Sequence, residues 1–86
     1  MKTEISTDRI VDQEVTIQDQ IDDLLLLLVK ERKKRKISQS ELSIRTKIPQ
    51  PTISRLESFS SVPTLPIVLK LSNALGLKLT LVNNGE

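Results

Sequence analysis

Gln50, Ser54, Arg55 and Ser58 fall on one side of a short helical pattern whose other side carries Ile53 and Leu56. A glutamine carboxamide holds a donor and an acceptor side by side, a guanidinium is a fork of donors, and a serine hydroxyl gives and takes. Such groups recognise other polar surfaces rather than make or break bonds. The chain has no histidine and no cysteine, so imidazole and thiol catalysis, disulfides and thiolate metal sites are excluded. Asp22 and Asp23 are adjacent on a helical pattern and therefore diverge. Asp12, Glu14 and Asp19 lack the spacing and the turn glycine of a calcium loop. Neither an enzyme nor a metal protein is expected, and no cofactor.

Charge sharpens the picture. Residues 1–29 carry two basic and seven acidic side chains, whereas residues 30–86 carry eleven basic and four acidic, a split of −5 against +7 within a net +2. An acidic segment attached to a module that prefers a polyanion is the natural reading. Lys30 to Lys36 hold six basic residues in seven, a run that also suits the negative end of a helix dipole. The one long apolar run, Leu24 to Val29, is far short of the roughly 20 residues that span a membrane, and the amino terminus does not read as a signal peptide. No membrane partner is expected, and the expected location is cytoplasmic.

The elements that must position the polar face follow from period and punctuation. Residues 1–15 sustain neither period and read as a flexible arm or weak strand. Thr16, with Asp19 three residues on, predicts a capped helix start. Ile17, Ile21, Leu24, Leu25 and Leu28 then form one apolar stripe expected to be core. Leu26, Leu27 and Val29 fall outside it and need the arm or a second subunit to cover them. Ser38-Gln39-Ser40-Glu41 predicts a capping box opening a second helix, anchored by Leu42 and Ile48 and stopped before Pro49. The third helix tolerates Pro51 in its first turn. After a turn-rich link, Thr64 caps a fourth helix with Leu65, Ile67, Val68, Leu69, Leu71, Ala74 and Leu75 on a wide apolar face, and Gly76 ends it. Leu77, Leu79 and Leu81 alternate with polar residues, the period of a strand that would need a second chain or the amino-terminal arm as partner. A domain of 86 residues with so small a core is expected to oligomerise. Two short helices, a tight link and a third helix suit a unit that holds one helix out for a groove in DNA.

In these residues the chain resembles the Cro and phage-repressor (XRE) family of helix-turn-helix proteins, over about Leu28 to Leu77. The likeness rests on Arg32 five residues before Ile37, on Ser38-Gln39 with Leu42, on Thr52-Ile53-Ser54-Arg55-Leu56-Glu57, and on Leu65 through Leu75-Gly76. The short chain and the tail Leu77 to Val82 look most like HipB-type antitoxins. The resemblance implies an all-α, compact helix-turn-helix bundle of four to five helices with a short C-terminal β-strand, dimeric: an arm at 1–15, the DNA-binding domain at 16–76, and a strand and tail at 77–86. It implies that Arg32 and Glu57 form a structural ion pair. Gln50, Pro51, Ser54 and Arg55 would face bases, where glutamine suits adenine, arginine guanine and serine either, while Pro51 has only apolar contact to offer. Gln39, Lys36, Lys47 and Thr52 would contact phosphate, and Leu77, Leu79 and Leu81 would form a dimer strand.

Three departures stand out. Ser43 replaces a usual alanine, while Lys47 and Phe59 replace usual glycines, and a left-handed Lys47 would cost about 1 kcal/mol. The expected function is a homodimeric, sequence-specific transcriptional repressor on a near-palindromic operator in double-stranded DNA. In the narrower form it is an autoregulating antitoxin with a HipA-like toxin kinase as partner. The alternatives are a phage or accessory-gene repressor without a toxin, and a protein-interaction module that has lost DNA.

Overall fold

The Thr16 hydroxyl accepts the Asp19 amide at 3.0 Å and the Asp19 carboxylate accepts the Thr16 amide at 3.4 Å. From this reciprocal cap runs α1 (Ile17–Lys34). The computed structural model describes residues 16–85; the arm expected at 1–15 lies outside them. After α1 come α2 (Gln39–Thr46), α3 (Gln50–Glu57) and α4 (Leu65–Ala74), so the bundle has four helices among the described residues.

Ser38 caps α2 by accepting the Glu41 amide at 3.0 Å. The return half of the expected box is not made. Glu41 instead reaches forward to Arg45 Nη2 at 2.8 Å, an ion pair one turn along that a single exposed backbone amide does not outbid. Thr64 caps α4 through the Ile67 amide at 3.4 Å. No side chain caps α3, whose second residue, Pro51, has no amide to satisfy.

The core gathers Leu25 and Leu28 of α1, Leu42 of α2, Ile53 and Leu56 of α3, Leu71 of α4, and Ile37, Ile48, Leu75 and Leu77 from the turns. Two expectations of burial are corrected. The α1 stripe is fully buried only from Leu25 onward: Ile17 is 75% exposed, while Ile21 and Leu24 are half-buried, Ile21 packed against the core. An 18-residue helix is about 27 Å long against about 12 Å for its eight-residue neighbours, so its first turns overhang them. On α4, Leu65 and Leu69 are exposed because a helix apolar around most of its girth can turn only one side, here Val68 and Leu71, inward. Off the α1 stripe, Leu26 is exposed while Leu27 and Val29 are half-buried.

Three helices close the same way. Lys36, Phe59 and Gly76 take left-handed φ of 57°, 61° and 70°. The next amide in each case folds back five residues: Ile37 to Arg32, Ser60 to Arg55, and Leu77 to Ser72, at 3.1, 3.0 and 2.8 Å. Ile37 and Leu77, the residues that follow the turns of α1 and α4, drop into the core. Leu77 is thereby the closing residue of α4 rather than the first residue of a strand. No strand forms among the described residues, since one extended segment cannot satisfy its own amides. Leu79 is half-buried and Leu81 is 98% exposed.

Lys47 is also left-handed, at φ 61°. Its amide donates to Ser43 O at 2.8 Å, while the Ser43 hydroxyl donates to Ile48 O at 2.5 Å. Thr46 adds a second hydroxyl, accepting the Ile48 amide at 3.2 Å. The turn between α2 and α3 is therefore laced by side chains although its pivot is not glycine. Lys47→Gly removes the left-handed penalty and should stabilise the domain by about 1 kcal/mol, raising the thermal midpoint by roughly 4–8 °C in a domain of this size. A scanning calorimetry trace that moves down instead would show that the lysine stem packs against the turn.

Candidate nucleic-acid interface

Glu57, the last residue of α3, is where three other segments meet. Arg32 of α1 grips it with both arms of the fork, Nε to Oε2 at 2.6 Å and Nη2 to Oε1 at 2.7 Å, with side-chain exposures of 11% and 14%. The remaining Arg32 nitrogen, Nη1, donates to Ile37 O at 2.8 Å in the turn before α2. Gln39, the first residue of α2, adds its Nε2 to Glu57 Oε1 at 2.9 Å. A planar guanidinium matched to a carboxylate fixes direction as well as distance. The orientation of α3 is thus tied to α1, α2 and the turn between them.

With Ile53 and Leu56 1% and 3% exposed, the opposite side of α3 must face out. Gln50, Pro51, Ser54, Arg55 and Ser58 are all exposed, and Thr52 is half-exposed. The only acid on this helix is Glu57, and Arg32 neutralises it. The outward ridge is uncharged except for Arg55. Two of its long side chains are tethered: the Ser40 hydroxyl donates to Gln50 Oε1 at 3.0 Å, and Arg55 Nη2 donates to Thr52 Oγ1 at 3.4 Å. The far end of α3 is held by serines. Ser58 and Ser60 both donate to the Arg55 carbonyl, each at 3.0 Å.

The residues expected at phosphate divide. Lys36 and Lys47 are exposed, each in a left-handed turn at the end of a helix. Gln39 is turned into the ion pair, and Thr52 accepts from Arg55. The expected tail residues separate too, Leu77 lying in the core and Leu81 in solvent. Sequence reasoning missed Ser40, Ser58 and Ser60 as tethers. Ser40 stands in the first turn of α2 and meets Gln50 only across the three-residue turn between the helices, a juxtaposition that no local pattern marks.

Residues 28–82 match the helix-turn-helix family HTH_3, of the XRE type. The match spans more than half of the chain, and the chain belongs to this family of DNA-binding transcription regulators. No curated protein and no solved structure matches it. Among the described residues no helix is long and apolar enough to cross a membrane.

The half-buried pair sets a stability prediction. Glu57→Ala leaves the Arg32 guanidinium uncompensated and should cost about 3–5 kcal/mol in denaturant unfolding, whereas Arg32→Met combined with Glu57→Leu should cost clearly less. Equal losses in the two proteins would assign the effect to packing rather than to the unpaired charge.

Proposed function

We propose that the chain is a homodimeric, sequence-specific transcriptional repressor whose α3 reads the major groove. The observation that carries this reading is the outward ridge of α3: hydrogen-bonding and cationic side chains, no free carboxylate, and a backbone held by a fork-to-fork ion pair. Two such ridges in a dimer would enter successive grooves about 34 Å apart on a near-palindromic operator. Gln50, Ser54 and Arg55 would meet base edges, Pro51 a thymine methyl, and Lys36 and Lys47 the phosphates on either side. Gln39 and Thr52 would support these contacts from behind.

The dimer needs apolar or strand contacts that one chain leaves unused. The extended segment from Leu79 through Val82, exposed beyond Leu79, is suited to pair with the same segment of a second chain. Because Leu77 is core, the pairing would begin after it. This tail also supports the narrower reading of an autoregulating antitoxin that represses its own promoter and binds a HipA-like toxin kinase. Co-purification with the product of an adjacent gene tests that reading, and the absence of any such gene would contradict it.

Three measurements test the rest. Affinity for duplex should fall on the order of a hundredfold between 50 and 200 mM salt, as bound counterions return to the phosphates; a flat response would favour an interaction module without DNA. Arg55→Ala should relax preference at one operator position by about 1–3 kcal/mol, while Lys47→Ala should weaken all duplexes alike. Deleting residues 79–86, which spares Leu77, should yield monomers in sedimentation. An unchanged dimer would move the subunit contact to the exposed apolar residues of α1.

A further inference from the structure

The outward face of α1 carries a symmetrical arrangement that neither the core nor α3 uses. Leu26 is 40% exposed at the middle of the helix. At about 3.6 residues per turn, Asp22 and Lys30 lie four residues before and after it on the same side, and Asp19 and Lys33 lie seven before and after. Acid thus occupies one end of this face, base the other, and a leucine the centre. Asp19 and both lysines are exposed, and Asp22 is half-buried. Among the described residues the two acids receive only uncharged donors, the Thr16 amide and Gln18 Nε2 at 3.4 and 2.9 Å, and neither lysine has an ion-pair partner. Asp22 and Lys30 stand eight residues, about 12 Å, apart along the axis, too far to neutralise each other.

A second copy laid antiparallel neutralises both ends. A two-fold axis through Leu26 sets Leu26 against its own copy and brings Asp19 and Asp22 of each chain alongside Lys30 and Lys33 of the other, so that every charge meets its opposite. A parallel copy would set acid on acid and lysine on lysine. Helix axes pack about 8–10 Å apart with Cα atoms about 2.3 Å from each axis, so the two Leu26 Cα atoms would approach to about 4–6 Å. The helix dipole accounts for acids in the first turns and lysines in the last, but not for a leucine exposed between them. We propose that the outer face of α1 docks the same face of a second copy of this chain, antiparallel and centred on Leu26. A Cβ on Gly76 would come within 2.9 Å of Arg35 Nη2, so the tail leaves the domain beside Arg35. Arg35 is nine residues, about two and a half turns, from Leu26 and lies on the opposite side of α1. The copy held at Leu26 is therefore not the copy held by the tail, and the two contacts together join tail-paired dimers into fours. That joining rests on the tail pairing; the α1 contact itself does not. One leucine and four charges a side fall well short of the roughly 800 Å² per partner of a standard interface, so in dilute solution the tail sets the oligomeric state.

The chain has no cysteine, and single introduced cysteines report the contact without background. In a glutathione redox buffer with no DNA present, the full chain with Leu26→Cys should form a disulfide-linked pair about tenfold more readily than Ile17→Cys, which is 75% exposed but lies opposite Leu26. In the Leu26→Cys background, Asp19→Lys with Asp22→Lys, and separately Lys30→Glu with Lys33→Glu, should each cut linking on the order of tenfold, because all four cross-chain charge pairs become repulsive. A one-to-one mixture of these two variants should restore linking as a mixed pair, since mixing cannot rescue a chain that has lost its fold. Leu26→Cys linking no more readily than Ile17→Cys, as it would with residues 1–15 or another partner over Leu26, overturns the proposal. So does linking indifferent to the charge changes, or a mixture that links no better than its parts. None of these outcomes touches α3 or the tail, so the reading of α3 stands or falls separately.

Discussion

The Glu57 carboxylate is the point on which the presentation of α3 depends. An eight-residue helix is far too short to persist alone in water, and two buried side chains, Ile53 and Leu56, set its depth without fully setting its rotation. The bidentate Arg32 grip, with Gln39 on the same oxygen and Ile37 O on the remaining nitrogen, removes that freedom. Because both charges are mostly withdrawn from water, the pair contributes direction more than net stability, and its loss would be felt chiefly as an orphaned guanidinium. What faces solvent from α3 is what remains after this constraint and the core have taken their residues.

The departures from the usual family pattern are mutually consistent. Lys47 and Phe59 occupy left-handed positions where glycine would be cheaper. Each is accompanied by serines that bond the adjoining carbonyls, Ser43 to Ile48 O at one turn and Ser58 with Ser60 to Arg55 O at the other. Hydroxyls aimed at local carbonyls favour turns over continued helix, so the backbone penalty is offset within a few residues of where it arises. Ser43, which replaces a usual alanine, is part of the same device as Lys47.

Much of this was legible beforehand, for identifiable reasons. Thr16, Ser38 and Thr64 marked helix starts because capping is local chemistry, and Gly76 marked a stop for the same reason. Ile53 and Leu56 marked the inner side of α3 by period alone. Arg32 and Glu57, 25 residues apart, could be paired only through the family resemblance, since no local pattern connects them. The failures were tertiary. Period cannot tell that α1 overhangs its partners and strands Ile17 in solvent, or which side of an all-apolar α4 turns inward and leaves Leu65 out. Glu41 had two partners in reach, and the ion pair won. Ser40 and Gln50 meet only once the turn between their helices is built, so a tether of that kind carries no periodic signature. Leu77 fitted an alternating strand and equally a residue that closes a helix; the left-handed Gly76 before it decides between them.

The claim at the centre is that the ridge from Gln50 to Arg55, beside the first turn of α2, is the surface that meets DNA. The most direct measurement is a heteronuclear NMR titration of the full chain with a selected duplex, following every assigned amide. The account predicts that the largest shifts fall at Gln39, Ser40 and Gln50 to Arg55, with the core amides of α4 nearly still. Shifts concentrated on α4 and the tail, with the α3 amides unmoved, would contradict it.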